Sequence, residues 1–200
     1  MIANRSLLVL ALVVLLMNLA GCVGRSPKVS FYTLSSMPPT DTAGSAETLA
    51  LAVGPAEFPR TLNRSQIVTR ESPTRLEVDE FHRWGEPLQH AFLRAVGENL
   101  GALLATPRVA IYPADAVYPV AFRVTLDVQR FDGSLGQSVT LQTRWTLLSG
   151  KTNKAIVVEQ FTTSVATKDN SFDSLVEAHS EAAEVLSRTI ADRIRITPVP

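Results

Sequence analysis

Two stretches of the chain alternate between apolar and mostly polar residues. In the first, Val120, Phe122, Val124, Leu126 and Val128 alternate with Ala121, Arg123, Thr125, Asp127 and Gln129. In the second, Val139, Leu141, Trp145 and Leu147 alternate with Thr140, Gln142, Arg144 and Thr146. A period of two over this length marks strands with one face buried and one wet. Asp132-Gly133 and Ser149-Gly150 are turn dipeptides, so consecutive strands should fold back as antiparallel hairpins, with 155–165 as the next strand. Two further stretches follow the helical period. Leu88, Phe92, Val96, Leu100 and Leu103 form one apolar stripe, with Pro87 in the first turn, Glu86 near the cap and Pro107 beyond the end. Leu175, Ala178, Ala182, Val185, Leu186, Ile190 and Ile194 form the other, a helix over 172–194 that Asn170 or Ser171 can cap and that Pro198 and Pro200 stop.

The remaining elements are shorter. Residues 30–34 read as a strand, 35–47 as a surface loop containing Pro38-Pro39 and Gly44, and 48–53 as a buried strand ended by Pro55 and Pro59. Residues 66–70 and 75–78 read as two strands around Glu71-Ser72-Pro73. The expected fold class is α+β: a largely antiparallel sheet with two amphipathic helices packed on one face. The opposite face, with Arg123, Thr125, Asp127, Gln129, Thr140, Gln142, Arg144 and Thr146, is left polar and exposed, or covered by another subunit.

The amino terminus breaks both periods. Arg5 is the only side-chain charge before Cys22, and residues 7–17 are an unbroken apolar run. A bilayer-spanning helix needs roughly 20 apolar residues, so this run fits the h-region of a signal peptide. Leu19-Ala20-Gly21-Cys22 follows, an aliphatic residue and two small ones before the only cysteine of the chain. It resembles the lipobox of bacterial lipoproteins, in which the peptide is cut before a cysteine that carries diacylglycerol. Residues 1–21 are thus expected to be a lipoprotein signal peptide, 22–29 a lipidated tether, and 30–197 a single α+β domain. The protein is expected in the bacterial cell envelope, lipid-anchored and facing the periplasm. Val23 follows the cysteine; in bacterial lipoproteins Asp at that place favours inner-membrane retention, so Val23 points to the outer membrane.

Composition narrows the partners. The chain has 19 Lys+Arg against 19 Asp+Glu. Removing 1–21 takes away Arg5 and no acid, so near-neutrality survives processing. No basic excess exists for a polyanion, which argues against nucleic acid, and there is no basic patch to hold an anionic membrane. A lone cysteine leaves no intramolecular disulfide and no Cys pair for zinc.

A search for chemistry finds little. Gly150-Lys151-Thr152 ends like a phosphate-binding loop, but Trp145 stands where the first glycine is required and two strands flank it, so a hairpin turn is expected. Glu86 and His90, four apart on one helix face, could supply two metal ligands with His82 as a third; ordinary surface polarity explains the pair as well. No spacing favours a catalytic triad, and no catalytic, metal or cofactor residues are assigned; the protein is not expected to be an enzyme. What remains is 81–88, two aromatics, a cation and an anion just before the first helix. Trp84 could pack beneath the helix entry with Arg83 paired locally, or the cluster could dock a partner, since Trp and Arg are enriched at interface hot spots.

Arg83-Trp84-Gly85-Glu86-Pro87-Leu88 resembles the RWAEPL signature of the PqiC-type (YmbA-like) lipoproteins, the ABC-type transport auxiliary lipoproteins. Phe31-Tyr32-Thr33-Leu34 resembles their first strand after the lipobox. Val53-Gly54-Pro55, then Phe58-Pro59 and Leu62-Asn63-Arg64, resembles their G-P…P-x-x-L-x-R stretch, and 66–70 their Q-I-V segment. Gly85 departs from the usual Ala, and Ser65 from the usual Pro. The match covers residues 20 to about 105; beyond that only the strand and helix pattern agrees.

The resemblance implies what the residues alone do not. It implies a lipid-anchored periplasmic accessory of an MCE-type transport system, anchoring or receiving a lipid-transport tunnel at the outer membrane and supporting envelope integrity. It makes the tunnel protein and inner-membrane transport subunits the partners, and marks Tyr32, Arg64, Arg83, Trp84, Glu86 and Pro87 as motif residues or partner contacts. An accessory that meets a tube must match its ring symmetry or bind off-axis, so self-association into a homo-oligomeric ring through the exposed sheet face or an edge strand is expected. A structural envelope scaffold lipoprotein and a lipid-anchored hydrolase remain as alternatives.

Overall fold

A computed structural model of the chain describes residues 27–38, 49–114 and 116–199. The expected signal peptide and lipobox, Cys22 included, and most of the loop expected at 35–47 lie outside the described residues. Within them the chain forms β1 (Ser30–Tyr32), β2 (Leu51–Glu57), β3 (Gln66–Ser72), β4 (Arg75–Trp84), α1 (Leu88–Leu103), β5 (Val109–Ile111), β6 (Phe122–Gly133), β7 (Ser138–Ser149), β8 (Ala155–Ala166) and α2 (Phe172–Ile196). The class is α+β, as expected. The expected alternation holds over 122–128 and 139–147, while Val120 is half-buried ahead of β6 and a bulge between Val128 and Arg130 shifts the period. Phe122, Val124, Leu126, Val128, Val139, Leu141, Trp145 and Leu147 are buried, while the eight polar residues between them stay exposed or half-exposed.

The hairpins β3–β4, β6–β7 and β7–β8 are antiparallel. The sheet is nevertheless mixed. β2 runs parallel to both β5 and β6, and β1 runs parallel to β4. Parallel neighbours need a crossover connection, and α1 supplies the one that carries the chain from β2 to β5 and β6. Along the edge of β6 opposite β7, β2 takes the first half and β3 meets only the end, with Thr69 opposite Gly133. Both helices cover one face. α1 lies over β2 and β5, α2 lies over β6, β7 and β8, and the two helices touch each other. Small residues, Ala91 and Ala95 on α1 and Ala182, Ala183 and Ala191 on α2, are fully buried between longer side chains. Of the two expected caps Ser171 is the one used, its hydroxyl accepting from the Ser174 N–H at 3.1 Å.

Four local expectations are corrected. Pro55 does not end β2: a cis Gly54–Pro55 bond and a bulge between Val53 and Ala56 take the strand past it to Glu57. Gly54 is required there, at φ +111°, because a Cβ would lie 2.5 Å from the Cβ of Tyr112. β4 continues beyond Val78 to Trp84, so the 81–84 cluster is strand and not pre-helix loop. β5 was not expected; its three residues carry too short a pattern to read. Asp132-Gly133 closes β6 instead of turning, and the turn falls at 134–137, where the Ser134 N–H donates to Ser138 O and Gly136 takes φ +69°.

Ser149-Gly150 does turn the chain, and 150–152 is the hairpin end expected in place of a phosphate loop. The Gly150 N–H donates to the Ala121 carbonyl at 2.8 Å, and a Cβ on Gly150 would stand 1.9 Å from the Val120 carbonyl oxygen. The glycine is demanded by backbone packing on backbone. Gly150→Ala should therefore cost about 1–3 kcal/mol or more, the range for forced overpacking. A thermal melt checks it, and an unchanged midpoint would show that the β6–β7 end has room.

Candidate functional site

Of the motif residues, Arg83, Trp84, Glu86 and Pro87 lie beside or just beyond the segment that holds Tyr32. β1 lies beside the end of β4 in parallel register, Ser30 opposite His82, Phe31 opposite Arg83 and Tyr32 opposite Trp84. The Gly85 N–H donates to Tyr32 O at 2.7 Å, and the Trp84 N–H donates to Ser65 O at 2.6 Å. Beyond β1 the chain leaves the sheet edge, and side chains take over the task of satisfying its backbone. The Arg94 guanidinium of α1 donates to the Leu34 carbonyl (3.0 Å), to Thr33 Oγ1 (2.9 Å) and to Glu86 Oε1 (2.9 Å). The Thr33 hydroxyl donates to the same Glu86 oxygen at 3.1 Å. The Ser35 N–H donates to Ser180 Oγ of α2 (3.1 Å), and the Met37 N–H to Asn99 Oδ1 of α1 (2.7 Å). Residues 30–37 are thus sewn to the sheet edge and to both helices. The Arg94–Glu86 pair is one-third exposed, so alone it is worth about 0.2–1 kcal/mol. Its contribution is geometric, since one guanidinium holds Glu86, Thr33 and Leu34 together.

The sequence-marked residues divide accordingly. Trp84 is buried at 4% exposure, its ring 5.6 Å from His179 of α2 in a T-shaped contact, so it is a core residue. Pro87 precedes α1, and its carbonyl accepts from His90 and Ala91. Tyr32 faces His82 at 5.9 Å, and burial together with Asp173 pushes its phenol up. Arg83 reaches back to the Glu80 carbonyl at 3.1 Å and the Glu80 carboxylate at 3.4 Å, a local pairing. Arg64 is exposed in the turn before β3 and is not brought to this cluster by any side-chain bond. Glu86 and His90 do not act as a pair: Glu86 turns to Arg94, His90 is exposed, and His82 bonds Asp79 at 2.8 Å and stacks on Phe172 at 3.8 Å. Among the described residues no group of three His, Cys, Asp or Glu could hold a metal ion.

Two polar sites escaped the sequence reading. Asp132, placed in a turn, is instead buried at the end of β6. It accepts from Arg70 Nε and Nη2 at 2.8 and 2.7 Å and from Arg130 Nε at 2.9 Å. Burial alone would raise its carboxyl, but the two arginines outweigh that and hold it below the usual carboxylate range. His179, an unremarked member of the α2 stripe, is fully buried between Trp84 and Phe131. Its Nδ1 faces the Leu175 carbonyl at 2.8 Å, which can only accept, so the ring carries its proton there. Burial pulls its pKa down from 6.5 to about 4, against the opposing pull of Leu175, Asp132 and Phe131. Neither residue carries a signal in one sequence, because a buried polar group is defined by partners distant along the chain.

A family model described as "ABC-type transport auxiliary lipoprotein component" matches residues 32–191. No curated protein matches the chain. Two solved structures share its fold. One is the crystal structure of an uncharacterized protein, 19% identical with a TM-score of 0.70, covering 84% of this chain and 99% of that one. The other is a protein from Xanthomonas campestris, 16% identical with a TM-score of 0.67, covering 83% of this chain and 94% of that one. Among the described residues no helix is long and apolar enough to cross a membrane.

The buried histidine sets a pH dependence. His179 is neutral when folded and protonates in the unfolded chain, so the unfolded state binds more protons as pH falls. Stability should be full above pH 6.5 and decline as pH drops toward 4, by up to about 3 kcal/mol across that window. Denaturant melts at a series of pH values measure the slope. His179→Phe, which keeps a ring in an aromatic surround, should flatten it; an equal slope in the variant would assign the effect to other groups.

Proposed function

The chain belongs to the ABC-type transport auxiliary lipoprotein family, and from that footing we propose that it is the lipid-anchored, periplasm-facing accessory of an MCE-type transport system. In this reading Cys22 carries the lipid, Val23 permits passage to the outer membrane, and the domain holds or receives the end of a periplasmic lipid-transport tunnel, so that its loss weakens the envelope. The observation that carries the proposal is the clamp around residues 30–37. A tether is useful to a transport assembly only if the domain stays at a set height above the membrane. Here the first residues after the tether are bound to the sheet edge, α1 and α2 through Tyr32, Thr33, Leu34, Ser35 and Met37. Trp84 and Glu86, the motif residues of the resemblance, belong to that clamp. The family motif then preserves the junction of anchor and domain, and the partner surface lies elsewhere, the polar outer face of β6 and β7 or the free edge of β8 being the available ones.

Two experiments test the reading. Affinity capture from membranes with the anchor intact should bring down an MCE-type chain and a permease or ATPase subunit. Cys22→Ser should leave an unlipidated precursor that captures neither; a variant still cut to the same mass with the same lipid would overturn the lipobox. The acyl-free domain from residue 23 onward, or its mixture with the tunnel protein, should show by light scattering the mass of a closed ring. A strictly monomeric mass from micromolar to near-millimolar concentration in both samples would replace the ring with a monomeric tether.

A further inference from the structure

The solvent face of the sheet is polar where β6 and β7 form it and aromatic at one place, the β1–β4 edge. Phe31 is 68% exposed, Phe81 41% and Val29 36%. The parallel register sets Phe31 opposite Arg83. Val29 and Phe81 are the residues just before Ser30 and His82, the first pair of that register. Phe31 and Arg83 point away from the helices, because their neighbours Tyr32, His82 and Trp84 point inward to α2. Phe81 lies in the bulged stretch of β4 between Val78 and Arg83 and is exposed there, as is Val29 just before β1. Nothing inside the fold requires two phenylalanines there: the same face of β6 and β7 is built from Thr, Gln, Arg and Asp.

What can cover the patch is limited by where the chain leaves it. Val29 is both a member of the patch and the last residue of the tether. Between Cys22 and Val29 lie seven residue steps, at most about 25 Å when fully extended. The patch is therefore the part of the domain held nearest to the acyl chains. The geometry points to a bilayer surface as its occupant: Phe31, Phe81 and Val29 enter the boundary between headgroups and acyl chains, while Lys28 and Arg83 beside them stay at headgroup level. This rests on the lipid anchor at Cys22 proposed above. Apolar burial drives the contact, not net charge, since Glu80 already pairs with Arg83. The lipid supplies attachment, and the patch fixes which side of the domain faces the membrane, leaving the opposite regions to meet protein partners.

The mature acylated protein, reconstituted in vesicles, tests this. Phe31→Trp adds a reporter to the patch. Val158→Trp adds one at another exposed apolar position, 58% accessible on β8 at the far edge of the sheet. Trp84 and Trp145 are buried and provide a baseline to subtract from the unsubstituted protein. In phosphatidylcholine vesicles containing acyl-brominated lipid, the added emission of Phe31→Trp should shift to the blue and lose most of its intensity, while that of Val158→Trp stays water-like. Phosphatidylglycerol vesicles should give the same result. If both variants float with the vesicles but Phe31→Trp emits as in water, the anchor stands and the proposed contact is overturned. A blue shift without bromine quenching would assign the patch to a second copy of the chain and also overturn it. Failure of the unsubstituted protein to float would remove the anchor, and the membrane contact with it.

Discussion

Both edges of β6 are hydrogen-bonded, and the rest of the structure is arranged by that fact. Its full length pairs with β7 in one direction, while β2 and β3 share the other edge end to end. Its inward side chains, Phe122, Val124, Leu126 and Val128, are the floor on which the helices rest. A strand paired on both sides and covered on one face has to present apolar residues at every second position, and a one-residue slip would send them all to water. The register of β6 therefore fixes the register of β7 and, through β7, of β8. It also decides where β2 lies, and hence where α1 must cross.

The β1–β4 edge follows a different rule. β1 has only three strand residues, too few for a ladder to hold it, and residues 33–38 beyond it belong to no strand. Arg94, Ser180 and Asn99 supply the missing bonds from two helices, and Glu86 just before α1 holds Arg94 and the Thr33 hydroxyl. The short motif at 83–88 thus makes sense as architecture. Trp84 packs in the core against His179 of α2, the Gly85 N–H closes on Tyr32, Glu86 is shared by Thr33 and Arg94, and Pro87 precedes the helix. A pull on the chain before β1 would reach the domain through these contacts before it reaches the core.

The alternations at 122–128 and 139–147 and the stripes of α1 and α2 were legible because a period of two or 3.6 is a local consequence of having one buried face. The cap at Ser171 and the turn at Gly150 were legible for the same reason, since each depends on a few neighbouring residues. Of the marked site residues, Trp84 and Glu86 stood out as an unusual cluster, and the structure places both in the clamp. Arg94 did not stand out, because an arginine on a helix looks like any solvated surface until Leu34, sixty residues earlier, is seen against it.

What the sequence determined by itself is therefore the class and the balance of the protein: α+β, two amphipathic helices, a wet sheet face and equal numbers of basic and acidic side chains. Those follow from periodicity and composition, which are additive along the chain. Only the tertiary structure decided the parallel pairing of β2 with β5 and β6, the continuation of β4 into Trp84, the burial of Asp132 between Arg70 and Arg130, and the dry surround of His179. Each of these depends on groups brought together across long connections. A single sequence carries no distance information between such groups, and the hydrogen bond or desolvation that decides the outcome exists only once the sheet and the helices have closed on each other.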